Sequence, residues 1–242
     1  MFDRVKYKKF AKKQLQGRWT IPVLVTLFCS IIVGVLQFPD TINSFADFTK
    51  RIDELGYSFN FTKTVPQLTG PLGTISQMAS FIAIAIAFVL EIAEINLYLK
   101  MSISPEPVSF GTFIEGFALW ARGILASLWA GLWIFLWSLL FIIPGIVKAY
   151  AYSMTLYLVA ENPELSVTKA LKISKEITKG HKMDLFILDL SFIGWEFLCL
   201  FTAGIGYLWL VPYINMTKTN AYHALLKEAV SSGNITVEDL KD

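Results

Sequence analysis

Long apolar runs separated by short charged segments dominate the chain. One run fills residues 19–38, with Pro22 and Gly34 as its helix-breaking residues, and others fill 75–99, 123–143 and 146–160. A helix crossing a hydrocarbon core about 30 Å thick needs roughly 20 mostly apolar residues, so each run predicts a membrane-spanning helix. The run 146–160 covers roughly 22 Å at helical rise and needs snorkelling, local thinning or a partly re-entrant path. The final block, 185–213, is too long for one untilted crossing and short for two. Splitting it at Thr202-Ala203-Gly204 gives spans 185–201 and 205–217 and six crossings. Left whole, it gives five and moves the C-terminus to the other side.

The polar segments between the runs have their own patterns. Residues 1–18 are basic, and 40–74 read as an external loop in which Phe45, Phe48, Phe59 and Phe61 stand among polar residues, long enough for a short helix on the membrane surface. Residues 166–179 predict an amphipathic cytoplasmic helix. Val167, Ala170, Leu171, Ser174 and Ile177 share one face, and Lys169, Lys172, Lys175 and Lys179 another. Ser166 suits its N-terminal cap and Gly180 its C-terminal end. Within the second run Ala79, Ala83 and Ala87 form a small-residue stripe that admits close helix packing. Ile143-Pro144-Gly145 reads either as a tight turn between two antiparallel spans or as a broken helix lining a cavity.

Composition agrees with this pattern. The 242 residues are 55% hydrophobic and 17% charged, against about a quarter charged in soluble domains, and the mean hydropathy is +0.54. The formal net charge of +2 gives no reason to expect a nucleic-acid partner. Its distribution sets sidedness, because Lys and Arg accumulate in cytoplasmic loops. With six spans, all of the 21 Lys and Arg except Lys50, Arg51, Lys63 and Lys148 fall on one side, which puts both termini in the cytoplasm. The expected location is the plasma membrane, with the first span uncleaved: no short apolar core precedes a small-residue cleavage site. Cys29 and Cys199 lie in apolar runs and make no disulfide framework.

Several motifs resemble those of a bacterial integral membrane family called domain of unknown function 975. They are Ala11-Lys12-Lys13-Gln14-Leu15-Gln16-Gly17-Arg18-Trp19, Phe113-Ile114-Glu115-Gly116-Phe117, and Ile143 to Tyr150. Downstream come Asn162-Pro163, Ala170-Leu171-Lys172-Ile173-Ser174, Leu188 to Trp195 and Gly204 to Tyr213. The resemblance covers nearly the whole chain, least of all residues 40–74. It implies a polytopic membrane protein without an assigned activity. A fainter likeness, through Pro144-Gly145, Ala170-Leu171 and Ser174, extends to the membrane domain accompanying some glycerophosphodiester phosphodiesterases. The catalytic domain of those enzymes has no counterpart here, so no esterase activity carries over.

Ionisable groups inside apolar runs are costly and so are candidates for function. Glu91 and Glu94 stand three apart on one helical face. Asp189 and Glu196 stand seven apart, two turns along one face of a single span, with Lys148 as a counter-charge to Glu196. Together they form a candidate polar path or proton-linked site, against the plainer expectation that they hold helices together. Lys8, Lys9, Lys12, Lys13, Lys169, Lys172, Lys175 and Lys179 are candidate contacts for anionic lipid headgroups. No nucleophile elbow, phosphate-binding loop or His-Glu-x-x-His motif is present, and His181 and His223 with two apolar-run cysteines suggest no zinc site. The expectation is therefore an all-α, multi-pass, non-enzymatic membrane protein without a cofactor. Its expected partners are membrane lipids and membrane proteins or a second copy of itself, and the alternative is a small transporter or channel using the carboxylates.

Overall fold

The computed structural model describes residues 2–55, 71–236 and 238–240. Regular structure among them is helical: α1 (Arg4–Leu15), α2 (Thr20–Glu54), α3 (Pro71–Ile103), α4 (Phe110–Glu115), α5 (Trp120–Leu140), α6 (Ile142–Tyr152), α7 (Thr155–Glu161), α8 (Val167–Ile177), α9 (Lys182–Leu190), α10 (Ile193–Phe201) and α11 (Tyr207–Ser231). Short 3-10 turns join α4 to α5 and close the chain at Glu238–Leu240. Four segments are long and apolar enough to cross a membrane: Thr20–Phe38, Met78–Ile103, Phe110–Leu140 and Ile142–Glu161. They coincide with the first four expected spans and mark a membrane-associated protein.

The chain forms two compact units, Phe28–Ala87 and the remainder, Met1–Leu27 with Phe88–Asp242. In the smaller unit, α2 does not stop at Pro39-Asp40 but continues to Glu54. Proline withdraws a single N–H, and the residues beyond it keep a helical pattern in which Ala46 and Thr49 are buried while Phe45 and Phe48 point outward. The expected loop is therefore helical as far as residue 54, while Phe59 and Phe61 lie outside the described residues. Ala83, central in the small-residue stripe, is fully buried, whereas Phe81 and Ile82 just before it are exposed.

In the larger unit, α5 and α6 form the most extensively packed helix pair. The reversal lies at Phe141, whose backbone is extended (φ −157°, ψ 147°), and not at Ile143-Pro144-Gly145. Pro144 instead occupies the first turn of α6, where its missing N–H has no helical acceptor to lose. Gly145 serves close approach: a Cβ there would stand 2.0 Å from Ser138 Oγ. Two further glycines seat α3 on the α4–α5 junction, since a Cβ on Gly116 would fall 2.6 Å from Ala93 Cα and one on Gly123 2.8 Å from Ile92 Cγ2. Asn96 Nδ2 fixes the same junction by donating to Thr112 O at 3.1 Å.

The expected fourth span is two helices, because α6 and α7 are separated at Ser153-Met154. Ser174 of α8 closes that gap: its hydroxyl donates to Ala151 O (2.9 Å) and accepts from Met154 N (3.2 Å). The α8 helix is amphipathic as expected, with Ala170, Leu171, Ile173, Ser174 and Ile177 buried and Lys172, Lys175 and Lys179 exposed. Ser166 holds the cap position, and Gly180 adopts φ +86° just beyond the end. Tyr157 and Tyr222 stack at 5.2 Å in the shared core of α7 and α11.

The last apolar block is also interrupted twice. Residues Ser191-Phe192 separate α9 from α10, so Asp189 and Glu196 do not lie along one continuous helix as the spacing predicts. The split at Thr202-Ala203-Gly204 is present, with Ala203 and Gly204 at φ 49° and 85°. This turn is closed by its own hydrogen bonds: Ala203 N to Leu200 O, Gly204 N to Cys199 O, Ile205 N to Thr202 O, and Gly206 N to Thr202 Oγ1. Its apolar side chains face outward, Phe201 being 75% exposed.

Packing around Gly116 makes a clear prediction. Gly116→Ala must displace the α3 backbone and is expected to cost about 1–3 kcal/mol, whereas Gly131→Ala, which meets nothing within 4 Å, leaves stability unchanged or raised. Thermal unfolding of the two detergent-solubilised variants distinguishes them.

Candidate functional site: a polar cavity between α3, α6, α9 and α11

Glu91 and Glu94 project from α3 at helical spacing and reach a cavity of about 270 Å³ that Asp189 of α9 also lines. Apolar residues surround it, including Ile95, Met154, Leu185 and Leu188. The lining cation is Lys218, one turn along α11 from Asn215. Asp189 accepts from two groups: Lys218 Nζ lies 3.2 Å from Oδ1, and Tyr150 Oη donates to Oδ2 at 3.1 Å. Asn215 Nδ2 donates to Glu94 Oε2 at 3.1 Å, and Lys218 also acts electrostatically on Glu91. Three carboxylates and one ammonium thus line the same space, with Lys218 paired to Asp189 and Asn215 bonded to Glu94.

Three of the five expected polar-site residues meet here, and two do not. Lys148 points its ammonium at the Trp137 ring, 4.6 Å from the centroid, and makes no ion pair with Glu196. The cation–π contact explains how a lysine is accommodated beside an apolar helix pair. Glu196, on α10, is half-buried. Its backbone carbonyl accepts from Tyr207 Oη at 3.3 Å, and its carboxylate has no ion-pair partner among the described residues. The break at Ser191-Phe192 is what parts it from Asp189.

Lys218, Asn215 and Tyr150 line the same cavity without having stood out in the sequence as candidates. Lys218 looks like a topogenic charge after an apolar run, yet Asn215 and Lys218 stand at helical i, i+3 spacing, the same signal that singled out Glu91 and Glu94. Tyr150 carries no charge and offers no such signal.

Away from the cavity, the basic residues divide by environment. Lys9, Lys12 and Lys13 are exposed on α1 and Lys8 is half-buried. On α8, Lys179 lies 3.7 Å from Glu176. The histidines are in separate places. His181 lies between Asp184 (3.0 Å) and Glu228 (3.1 Å). His223 meets Ser102 Oγ at 2.8 Å, and burial holds its imidazole below the usual range. Among the described residues no group of three or more His, Cys, Asp or Glu is arranged to hold a metal ion.

Residues 139–229 match the family model described as "Protein of unknown function (DUF975)". That match supports a DUF975 assignment. The DUF975 segment runs from the end of α5 through most of α11 and contains Tyr150, Asp189, Asn215 and Lys218, while Glu91 and Glu94 lie outside it. It also contains the motifs from Ile143 onward, but not those at residues 11–19 and 113–117. No curated protein and no solved structure matches the chain.

The ion pair at the cavity mouth is testable by itself. With both side chains more than a third exposed, solvent screening limits the coupling. A double-mutant cycle of Asp189→Asn and Lys218→Gln should return no more than about 1 kcal/mol from thermal unfolding, with a sign that favours the pair. A repulsive coupling contradicts the geometry.

Proposed function

We propose that this chain is a non-enzymatic, multi-pass membrane protein that binds a small cationic solute in the cavity between α3, α6, α9 and α11, as a transporter or channel component. The observation that carries the reading is the convergence of Glu91, Glu94 and Asp189 on one space that a single ammonium, Lys218, also lines. The lining carries three acidic side chains against one ammonium, so the space is net negative. Like charges gathered in one confined space repel one another, and a small cation or a proton offsets that repulsion.

The arrangement in the bilayer follows from the same residues. Asp189 and Lys218 pair at the base of the α10–α11 hairpin, and at helical rise its tip lies roughly 20 Å beyond them, short of the ~30 Å hydrocarbon core. The self-satisfied turn at residues 202–206 meets the requirement for backbone inside hydrocarbon. The proposal is four crossings and a re-entrant hairpin in place of six crossings, in the plasma membrane. Both termini then remain on the lysine-rich, cytoplasmic side.

Two experiments test these readings. Thermal unfolding of the detergent-solubilised protein should shift upward, saturably, with small primary ammonium ions but not with sodium chloride of equal ionic strength. Stabilisation reaches about 2.7 kcal/mol at a hundredfold excess over Kd. Glu91→Gln with Glu94→Gln should abolish the shift, and an equal shift in that variant rejects the cation site. For the hairpin, Ala203→Cys in a Cys29→Ser, Cys199→Ser background should resist membrane-impermeant maleimide from both sides of intact vesicles. Labelling from the outer side would restore six crossings.

A further inference from the structure

A second cavity has a different chemistry. It measures about 500 Å³ and lies between α1, α10 and the start of α11, within the larger unit. Lys8 and Lys12, one turn apart on α1, stand at one end, and Trp19, Trp195, Leu198 and Trp209 form much of the wall. No carboxylate lines it among the described residues. A volume of this size suits a single small molecule or chain.

The two lysines are set differently. Lys8 Nζ donates to Ser191 O at 3.2 Å and sits 3.8 Å over the Phe192 ring. That anchors its ammonium to the α9–α10 break with further N–H donors left over. Desolvation, followed by repulsion from Arg4, holds its pKa below the ordinary lysine value, so an anion beside it would be stabilising. Lys12 is exposed, its ammonium has no ion-pair or hydrogen-bond partner among the described residues, and it also lines an adjoining depression with Lys9 and Lys13. From this cationic end the groove runs along α10: Leu198 lies about 10 Å of helical rise beyond Ser191. One end is therefore suited to a multivalent oxyanion and the remainder to hydrocarbon, and the indole rings have the amphipathic character found where bilayer meets water.

We propose that this groove is a binding site for one anionic phospholipid, its phosphate held by Lys8 and Lys12 and an acyl chain lying along Trp195, Leu198 and Trp209. Charge complementarity selects this occupant. An apolar helix from another protein would leave both ammonium groups unmatched, and a zwitterionic lipid would bring its own cation to them.

The test uses the full chain in non-ionic detergent and native mass spectrometry, titrated with phosphatidylglycerol or with phosphatidylcholine of the same acyl chains. Phosphatidylglycerol should be retained preferentially, and Lys12→Gln should weaken its retention about fivefold, as should Lys8→Gln. Lys50→Gln with Arg51→Gln removes two exposed charges of α2 and should leave retention unchanged. Leu198→Trp fills the groove and should lower retention with both lysines intact, which keeps the test decisive if Lys8→Gln fails to fold. Equal binding of the two lipids overturns the proposal. So does an equal loss in the α2 double variant, or a dimer that Leu198→Trp disrupts while lipid retention is unaffected.

Discussion

A backbone polar group surrounded by apolar side chains must find its hydrogen bond within the protein, and the helix interruptions of this chain are organised around that constraint. At Ser153-Met154 the partner is the Ser174 hydroxyl of α8. At Ser191-Phe192 the N–H groups reach back to Ile187 O and Asp189 O, and at residues 202–206 the turn bonds to itself and to the Thr202 hydroxyl. Each break re-aims a helix without stranding a donor.

Re-aiming is what builds the polar cavity. Because α6 ends where Ser174 holds it, Tyr150 can present its hydroxyl to Asp189. Because α9 stops at Leu190, Asp189 faces α11 while Glu196 is carried away on α10. Had α9 and α10 been one helix, the two acids would share a face and Lys218 would have to serve both. The glycine contacts at Gly116 and Gly123 then seat the end of α3 so that Glu91 and Glu94 reach the same space. Steric contacts between small residues and single hydroxyl hydrogen bonds thus position a charged site to which they contribute no charge.

The two cavities of the larger unit have opposite electrostatic character although α11 lines both. The carboxylates line the space beside α3 and α9, and Lys8 and Lys12 the space beside α1. Lys8 links them mechanically, since its bond to Ser191 O lies at the break that also fixes Asp189. A lipid held at α1 and a solute held at α3 would therefore both bear on the position of α9.

By itself the sequence determined the helical class, the four long apolar segments, the amphipathic face of α8 and the positions of Glu91, Glu94 and Asp189, because length, hydropathy and helical period are local properties written along the chain. It also located the turn at Thr202 to Gly204, where a run too long for one helix meets glycine. Tertiary structure alone decided that α2 passes through Pro39, that Pro144-Gly145 begins a helix and seats it closely, and that Lys148 rests on an indole while Lys218 serves Asp189. Those outcomes depend on which helix packs against which, and a side chain's partner across space leaves no periodic trace in the residues that carry it.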